Sequence, residues 1–256
     1  MKHFLLTIML LISSTLAVAS VGANPDAYAA QIMNARFDGM KKDLYDASRI
    51  AGISMDDLVA IGSIESGLVS HAKNRTSSAK GVLQYTNRTW NADRKKYHKE
   101  LGLPANVSVT NQRANLLIGA KALNQAKQTL ADRTHLTVDT VRVGDLYMLH
   151  FLGEGGAVKV INSNSNTPMN RLVSISKANR SLFVKPNGQV RTAREFRLHM
   201  NQLVMNEKSF YKEKVNEHRL AMKPREMIEA VRDGYDQRMA VAVMNTRAFI
   251  GFDVNS

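Results

Sequence analysis

The chain has 256 residues, of which 44% are hydrophobic and 22% charged, a composition typical of a globular protein large enough to bury a core. It has no cysteine, which excludes a disulfide framework and any cysteine-ligated metal site. Thirty-five Lys and Arg against 22 Asp and Glu give a formal net charge of +13. This excess favours a polyanionic partner: nucleic acid, an anionic lipid surface or an acidic cell-wall polymer.

The first 23 residues have the layout of a secretory signal peptide. Lys2 and His3 precede an apolar run from Phe4 to Ile12, and small residues follow, with cleavage expected after Ala19 or Ala23. Two other interpretations are a signal-anchor, since the apolar character continues towards spanning length, and a buried N-terminal helix. We expect export to the periplasm or beyond, with transient inner-membrane association through this segment. Export in turn argues against a nucleic-acid partner.

Hydrophobic periodicity predicts a mainly helical protein. Apolar residues at spacings of three and four predict a helix over residues 26–50, ended by Gly52. Ser54 begins an S-x-x-D pattern that resembles a capping box, and the helix that follows is apolar nearly all round, as buried helices are. Later segments are predicted in chain order: a surface loop over 70–80, helices over 109–130 and 138–151, a Gly-rich stop at 153–156, a loop over 162–168, a short helix over 169–178, a small hairpin at Pro186-Asn187-Gly188, and charged helix from Thr192 interrupted at Pro224.

A solitary carboxylate closes the most apolar helix. Glu65 continues the stripe of Leu58, Ile61 and Leu68, and no other Asp or Glu follows until Asp93. Burial disfavours the charged form of a carboxyl and raises its pKa, which is what a general acid near neutral pH requires. Taken alone, Glu65 is better interpreted as a helix-end residue that reaches solvent, and only the order of the motifs below reverses that interpretation. A second carboxylate, which glycoside hydrolysis normally uses, is not found close by in the sequence.

Three ordered motifs resemble those of the soluble-lytic-transglycosylase family of the lysozyme superfamily. They are Glu65-Ser66 at a helix end, the turn GVLQ over residues 81–84, and YMLHFLG over residues 147–153. The variants GVLQYTNRTW and YMLHFLGEGGA are most similar to phage-encoded members, and the resemblance covers roughly residues 40–205. One motif departs from the family, because His150 and Phe151 stand where Tyr and Asn are expected.

The resemblance implies an all-α, lysozyme-like domain over residues 24–205, followed by a basic helical extension over 206–256. It implies that Glu65 is the catalytic acid and base, that Ser66 hydrogen-bonds nearby, and that Gln84 lines the glycan groove. Either Tyr147 or His150 would be the partner of Glu65, and Tyr85 would stack on sugar or form the wall of the groove. The implied reaction cleaves peptidoglycan between N-acetylmuramic acid and N-acetylglucosamine with formation of a 1,6-anhydro end, by a monomer without cofactor or metal.

Several alternatives remain open from the sequence. The protein could be a hydrolytic muramidase. It could also be a secretion-associated or non-catalytic wall-binding module, or a basic nucleic-acid binder. A role in phage-mediated host lysis competes with a bacterial housekeeping role. Trp90 is interpreted as core packing, and the scattered histidines show no metal-ligand spacing. The amphipathic tail is interpreted as solvated helix, with binding to an anionic surface as its alternative.

Overall fold

The computed structural model describes the backbone of residues 25–250, and the side chains of this range except those of 25, 26, 227, 230, 231 and 234–250. The predicted signal peptide therefore lies outside the described residues. The predicted all-α class is confirmed, because the described part is built from helices and carries only isolated β-bridges. The helices are α1 (Pro25–Ala51), α2 (Met55–Ser66), α3 (Asn87–Tyr97), α4 (Gln112–Arg133), α5 (Val143–Asn162), α6 (Met169–Leu172), α7 (Arg180–Phe183) and α8 (Ala193–Ile250), with a 3₁₀ turn at Lys177–Asn179.

The chain divides after Lys212 into two compact units, so the first unit contains α1 to α7 and the start of α8. The sequence placed the corresponding boundary between residues 205 and 206. Within the first unit α1 packs against α2 and α4, and α4 packs in turn against α5. The core between them is aliphatic and aromatic, and its fully buried members include Phe37, Leu44, Leu58, Ile61, Leu116 and Phe151. Removal of this apolar surface from water is the main force that holds the helices together.

Helix α5 begins later than predicted and is broken where a stop was predicted. It begins at Val143 rather than at 138. Gly153 has φ 73° and ψ 165°, which is not helical, so α5 consists of two helical segments that meet at a kink. The predicted stop at 153–156 is therefore confirmed at Gly153, whereas the second segment, which continues to Asn162, was not predicted.

The segment between α5 and α8 contains less regular structure than predicted. Helix α6 ends at Leu172, whereas the predicted helix continued to residue 178. The predicted hairpin is present only as a single antiparallel bridge between Val184 and Val190. Its turn is closed by the Lys185 N–H, which donates to the Gln189 carbonyl at 2.8 Å, and by Gly188 with φ 82°.

Two predictions at helix ends and breaks were wrong. Ser54 precedes α2 but makes no capping hydrogen bond to the backbone; its hydroxyl donates instead to Asp56 at 3.2 Å. Pro224 lies inside α8, which continues through it without interruption. A proline removes one backbone donor and disfavours helix, but flanking turns can hold the path.

Helix α8 is fastened to α5 by a buried ion pair. The guanidinium of Arg197 donates to both carboxylate oxygens of Asp145, at 2.9 and 3.1 Å. Asp145 is 3% exposed and also accepts from the Arg142 N–H at 3.2 Å, so its charge is well satisfied. The close approach of the two helices depends on Gly144, where an added Cβ would lie 2.4 Å from Cα of Asn201.

None of the helices within residues 25–250 has an apolar stretch long enough to cross a membrane.

Because an added Cβ on Gly144 would overlap the backbone of Asn201, Gly144→Ala should separate α5 from α8. We expect the free energy of unfolding to fall by about 2 kcal/mol, because the obstructing atoms belong to backbone, which cannot rotate away. Urea unfolding measures the change. Gly155→Ala is the matched control in the same helix, since nothing lies within 4 Å of its added Cβ; it should be neutral or stabilising by up to about 1 kcal/mol. Equal effects of the two substitutions would contradict the close-packing explanation.

Candidate active site

Glu65 lies in the last turn of α2 with its carboxyl withdrawn from water. The residue is 1% exposed, and Leu58 and Ile61 of the same stripe are 0% exposed. Leu68 is buried as well, but it lies beyond the end of α2 with φ 58° and does not continue the stripe as predicted. Burial raises the pKa of Glu65 to about 8, while the Tyr147 hydroxyl acts in the opposite direction. The atom Oε1 is fully buried and has no hydrogen-bond partner. The carboxyl therefore holds its proton at neutral pH.

The hydroxyl of Tyr147, in α5, is a second buried oxygen without a hydrogen-bond partner, and it lies near the carboxyl of Glu65. Its side chain is fully buried, and its pKa is raised well above 10 by burial and by the charge of Glu65. The hydroxyl is close enough to influence the carboxyl, but its geometry is not that of a formed hydrogen bond, so both oxygens are left unpaired. Buried unpaired polar groups are costly and few in folded proteins, which marks this pair as a candidate functional site.

Ser66 braces the turn that ends α2. Its hydroxyl donates to the Gly62 carbonyl at 3.2 Å and accepts from the Val69 N–H at 3.1 Å. The N–H of Gly67, in the left-handed conformation, bonds back to the Ser63 carbonyl, which is the αL arrangement at a helix end, and the Leu68 N–H bonds to the Gly62 carbonyl. Ser66 is 1% exposed. Its position supports the conformation next to Glu65 and does not present the hydroxyl to a groove.

Gln84 occupies the turn after Gly81 in a strained conformation. Its φ is 46°, a value that residues with a Cβ rarely adopt. Its Nε2 donates to the carbonyls of Gly81 at 2.9 Å and Ala72 at 3.4 Å, whereas Oε1 is buried without a partner. The amide is thus held in place through its nitrogen while its oxygen stays uncommitted.

The turn from 81 to 85 is clamped from two helices. Its Leu83 N–H donates to Asn115 Oδ1 of α4 at 2.9 Å, and Asn115 Nδ2 donates to the Val109 carbonyl at 2.9 Å. The Leu83 carbonyl is 3.0 Å from His150 Nε2 of α5. Asn115 was missed from the sequence, although a polar residue within the apolar set of α4 was a visible signal. It positions the turn and does not itself reach Glu65.

His150 is a neutral ring in this arrangement. A carbonyl only accepts, so Nε2 carries the proton and donates to Leu83, and Nδ1 is left as an acceptor. Burial lowers the pKa of His150, and the bond to Leu83 acts against this. The ring meets the Tyr85 ring edge to face at 5.9 Å. His150 therefore joins α5 to the turn that carries Gln84, whereas Tyr147 is the α5 residue beside Glu65.

Tyr85 and Trp90 pack within the core. They are 2% and 4% exposed, and their rings meet at 5.5 Å in an edge-to-face contact. The Tyr85 hydroxyl faces Asp93, whose pKa is raised by burial and lowered by that hydroxyl. Neither ring has the open face that stacking on a sugar requires. Tyr85 shapes the wall behind the turn.

Helix α2 is also held by contacts with α8 and α1. Ser63 donates to Glu207 Oε2 at 2.7 Å, Lys208 pairs with Asp57 at 2.5 Å, and Arg36 donates to the Gly67 carbonyl at 3.1 Å. Residues two apart on a helix point about 200° away from each other, so Ser63 and Glu65 face opposite sides of α2. The contact of Ser63 with Glu207 therefore fixes the helix without touching the carboxyl.

No group of His, Asp and Glu side chains among the described residues could hold a metal ion. The chain matches no known protein-family model.

Protonation of Glu65 predicts a pH-dependent difference between the native chain and Glu65→Gln. Below pH about 4.5 the carboxyl is protonated in both folded and unfolded states, and the two proteins should be similarly stable. As the pH rises to about 8 the unfolded state ionises first, so the native chain loses stability relative to the variant, at about 1.4 kcal/mol per pKa unit. Above pH 8 the difference, of several kcal/mol, should level off.

Urea unfolding of both proteins across pH 4 to 9 measures this difference, because other titrating groups cancel between them. Parallel stability curves would show that Glu65 is not held protonated by the fold.

Proposed function

We propose that this protein is a lytic transglycosylase that cleaves the β-1,4 bond between N-acetylmuramic acid and N-acetylglucosamine in peptidoglycan. The observation that carries the proposal is the carboxyl of Glu65, buried without a hydrogen bond at Oε1 and with its pKa raised to about 8. A carboxyl in this state can give a proton to a glycosidic oxygen near neutral pH. The three motifs that resemble the soluble-lytic-transglycosylase family support the same reaction.

The absence of a second acid beside Glu65 favours transglycosylation over hydrolysis. Among the described residues, no carboxylate contributes to the pKa of Glu65, which is set by burial and Tyr147. Glu207 approaches α2 from the face of Ser63, and Asp93 lies beside the Tyr85 hydroxyl. A retaining or inverting hydrolase normally places two carboxyl groups across the scissile bond. With one carboxyl, the sugar has to supply its own nucleophile.

The proposed steps balance without water. Glu65 protonates the oxygen that leaves with N-acetylglucosamine, and the C1–O bond of the muramic residue breaks with oxocarbenium character. The 6-hydroxyl of the same residue then attacks C1, and the Glu65 carboxylate takes the hydroxyl proton. The products are a shortened strand and a 1,6-anhydromuramic end, and Glu65 is protonated again. The Tyr147 hydroxyl stabilises the carboxylate formed between the two steps, since it lowers the pKa of that group.

Access to Glu65 requires local opening. Its side chain is 1% exposed, and two surface cavities of about 350 and 320 Å³ lie elsewhere, at α6–α7 and on α4. Leu68 and Gln84, three and 19 residues after Glu65, are the non-glycine residues with positive φ among those described. Strained conformations of this kind concentrate at functional sites and can relax when a ligand binds. We propose that a bound glycan displaces these two turns.

The charge around the site suits an anionic polymer. From Ser66 to Ala92 the chain has no Asp or Glu but carries Lys73, Arg75, Lys80 and Arg88. The peptides attached to muramic acid bear carboxylates, so a positive field raises their local concentration. Together with the signal-peptide pattern, this supports an exported wall-degrading enzyme, and the motif variants support a role in phage-mediated host lysis.

Glu65→Gln should lower turnover of purified sacculi by at least 10²-fold, because Gln cannot donate the proton. Mass spectrometry of the soluble products measures the rate and the nature of the new ends. Wild type should release anhydromuramic ends. The matched control is Glu207→Gln, which changes an acid on the opposite face of α2 and should keep most of the activity.

The same products separate the competing functions. Reducing muramic ends in place of anhydro ends would make the protein a hydrolytic muramidase. Wild-type protein that binds sacculi but releases no fragments, with Glu65→Gln indistinguishable from it, would make it a non-catalytic wall-binding module.

Tyr147→Phe should move the alkaline limb of the pH–rate profile to higher pH. Activity needs protonated Glu65 and should fall as pH rises through about 8. The Tyr147 hydroxyl lowers the pKa of Glu65, so removing it raises this pKa and moves the alkaline limb to higher pH. Tyr85→Phe is the matched control, because its hydroxyl acts on Asp93 instead. A limb that stays in place in Tyr147→Phe, or shifts equally in both variants, would contradict the pairing of Tyr147 with Glu65.

A further inference from the structure

A surface cavity of about 350 Å³ lies apart from Glu65, between α6, the 3₁₀ turn, α7 and the Val184–Val190 bridge. Its lining residues are Asn170, Ile175, Ser176, Lys177, Arg180, Val184 and Val190. The volume is within the range of small-molecule sites and equals that of about ten water molecules. The reaction proposed for Glu65 does not use this cavity.

The polar groups of the cavity are all uncommitted. The side chains of Asn170, Lys177 and Arg180 make no hydrogen bond or ion pair with any of the described residues, and no acid lines the cavity. The Ser176 hydroxyl is buried and has no partner either. Other cations of this unit, such as Lys185 and Arg197, are paired with carboxylates. Two free cations beside an unpaired buried hydroxyl form a site for an anion.

The remaining wall is aliphatic. Ile175, Val184 and Val190 present branched apolar side chains to the same space. A phosphate or sulfate carries polar oxygens on every side and would leave some of them against this wall. A carboxylate attached to small apolar groups can place its charge at Lys177 and Arg180 and its methyl groups against the aliphatic residues.

The cavity is connected by packing to the helix of the candidate active site. Phe183, next to Val184 in the wall, packs against Phe151 of α5 with ring centroids 5.9 Å apart. Phe151 lies one helical turn after Tyr147, and residues four apart share a helix face. The wall of the cavity and the helix that carries Tyr147 are therefore in direct packing contact.

We infer that this cavity binds the carboxylate terminus of a short peptide with small apolar side chains, of the kind that ends an alanine-terminated peptidoglycan stem. The inference rests on the proposed function for the source of the peptide. The Arg180 guanidinium takes the carboxylate, Lys177 adds a second positive charge, and the Ser176 and Asn170 side chains bond to peptide amides. The cavity thereby selects glycan strands that still carry their peptides.

Binding is tested on the full chain carrying Glu65→Gln, labelled with ¹⁵N, by following amide chemical shifts. The probe is N-acetyl-D-alanyl-D-alanine, compared with its C-terminal amide and with inorganic phosphate. We expect saturable shifts confined to residues 170–190 with the free carboxylate and binding at least tenfold weaker with the amide. Equal binding of acid and amide, phosphate binding as tight as the peptide, or no shifts in this segment up to the solubility limit would overturn the inference.

The double substitution Lys177→Gln with Arg180→Gln should weaken peptide binding at least tenfold. Lys95→Gln with Lys99→Gln removes the same charge from α3 and its C-terminal flank and should leave binding unchanged, which separates a local site from the general positive field. Ser176→Ala should weaken binding several-fold without loss of thermal stability, since its hydroxyl has no partner to lose.

Turnover separates the inference from the proposed function. In the active chain, the Lys177 and Arg180 substitutions should slow cleavage of peptide-bearing sacculi and leave unchanged the cleavage of strands stripped of peptide by an amidase. Equal effects on both substrates would overturn the inference alone. Absence of anhydro products from either substrate with wild-type protein would overturn the proposed function, and the peptide titration would still decide whether the cavity binds a carboxylate.

Discussion

The burial of one carboxyl at the end of α2 is the constraint on which the rest of the site depends. Glu65 is kept neutral by burial and not by hydrogen bonds, because Oε1 has no partner and Leu58 and Ile61 of the same helix are fully buried. An uncompensated carboxyl in such a place lowers stability when it ionises. Other contacts of α2 offset this cost, since Ser63 bonds to Glu207 and Asp57 pairs with Lys208 of α8.

The elements around the carboxyl are coupled through the backbone of a single turn. The Leu83 N–H donates to Asn115 Oδ1 of α4, and the Leu83 carbonyl accepts from His150 Nε2 of α5, so that two helices fix one residue. The strain at Gln84 is possible only because these neighbours hold the turn on both sides. Loss of either contact would free the turn that carries Gln84 and Tyr85, even though neither Asn115 nor His150 touches the carboxyl of Glu65.

Local patterns predicted much of this arrangement, and tertiary contacts account for what they missed. The apolar stripe indicated a buried environment for Glu65, since a helix face is defined by spacing, but only the three ordered motifs favoured this over a side chain that reaches solvent. The same reasoning could not find the pair of Asp145 with Arg197, whose members are 52 residues apart. It also expected Pro224 to interrupt a helix that continues through it. The sequence analysis assigned Tyr85 to sugar stacking or to the wall of the groove, and only its burial and its packing against Trp90 show that it lies in the core.

The contact of Ser63 with Glu207 joins residues 144 positions apart and has a consequence for biosynthesis. While the ribosome is still making the chain, α2 emerges long before the part of α8 that contacts Ser63. Contacts of such long range form late, because the entropy of closing the loop must first be overcome. In the nascent chain, the face of α2 that carries Ser63 therefore stays uncovered until residue 207 has been added. The final fixing of α2, the helix that carries Glu65, is a late event in the synthesis of this unit.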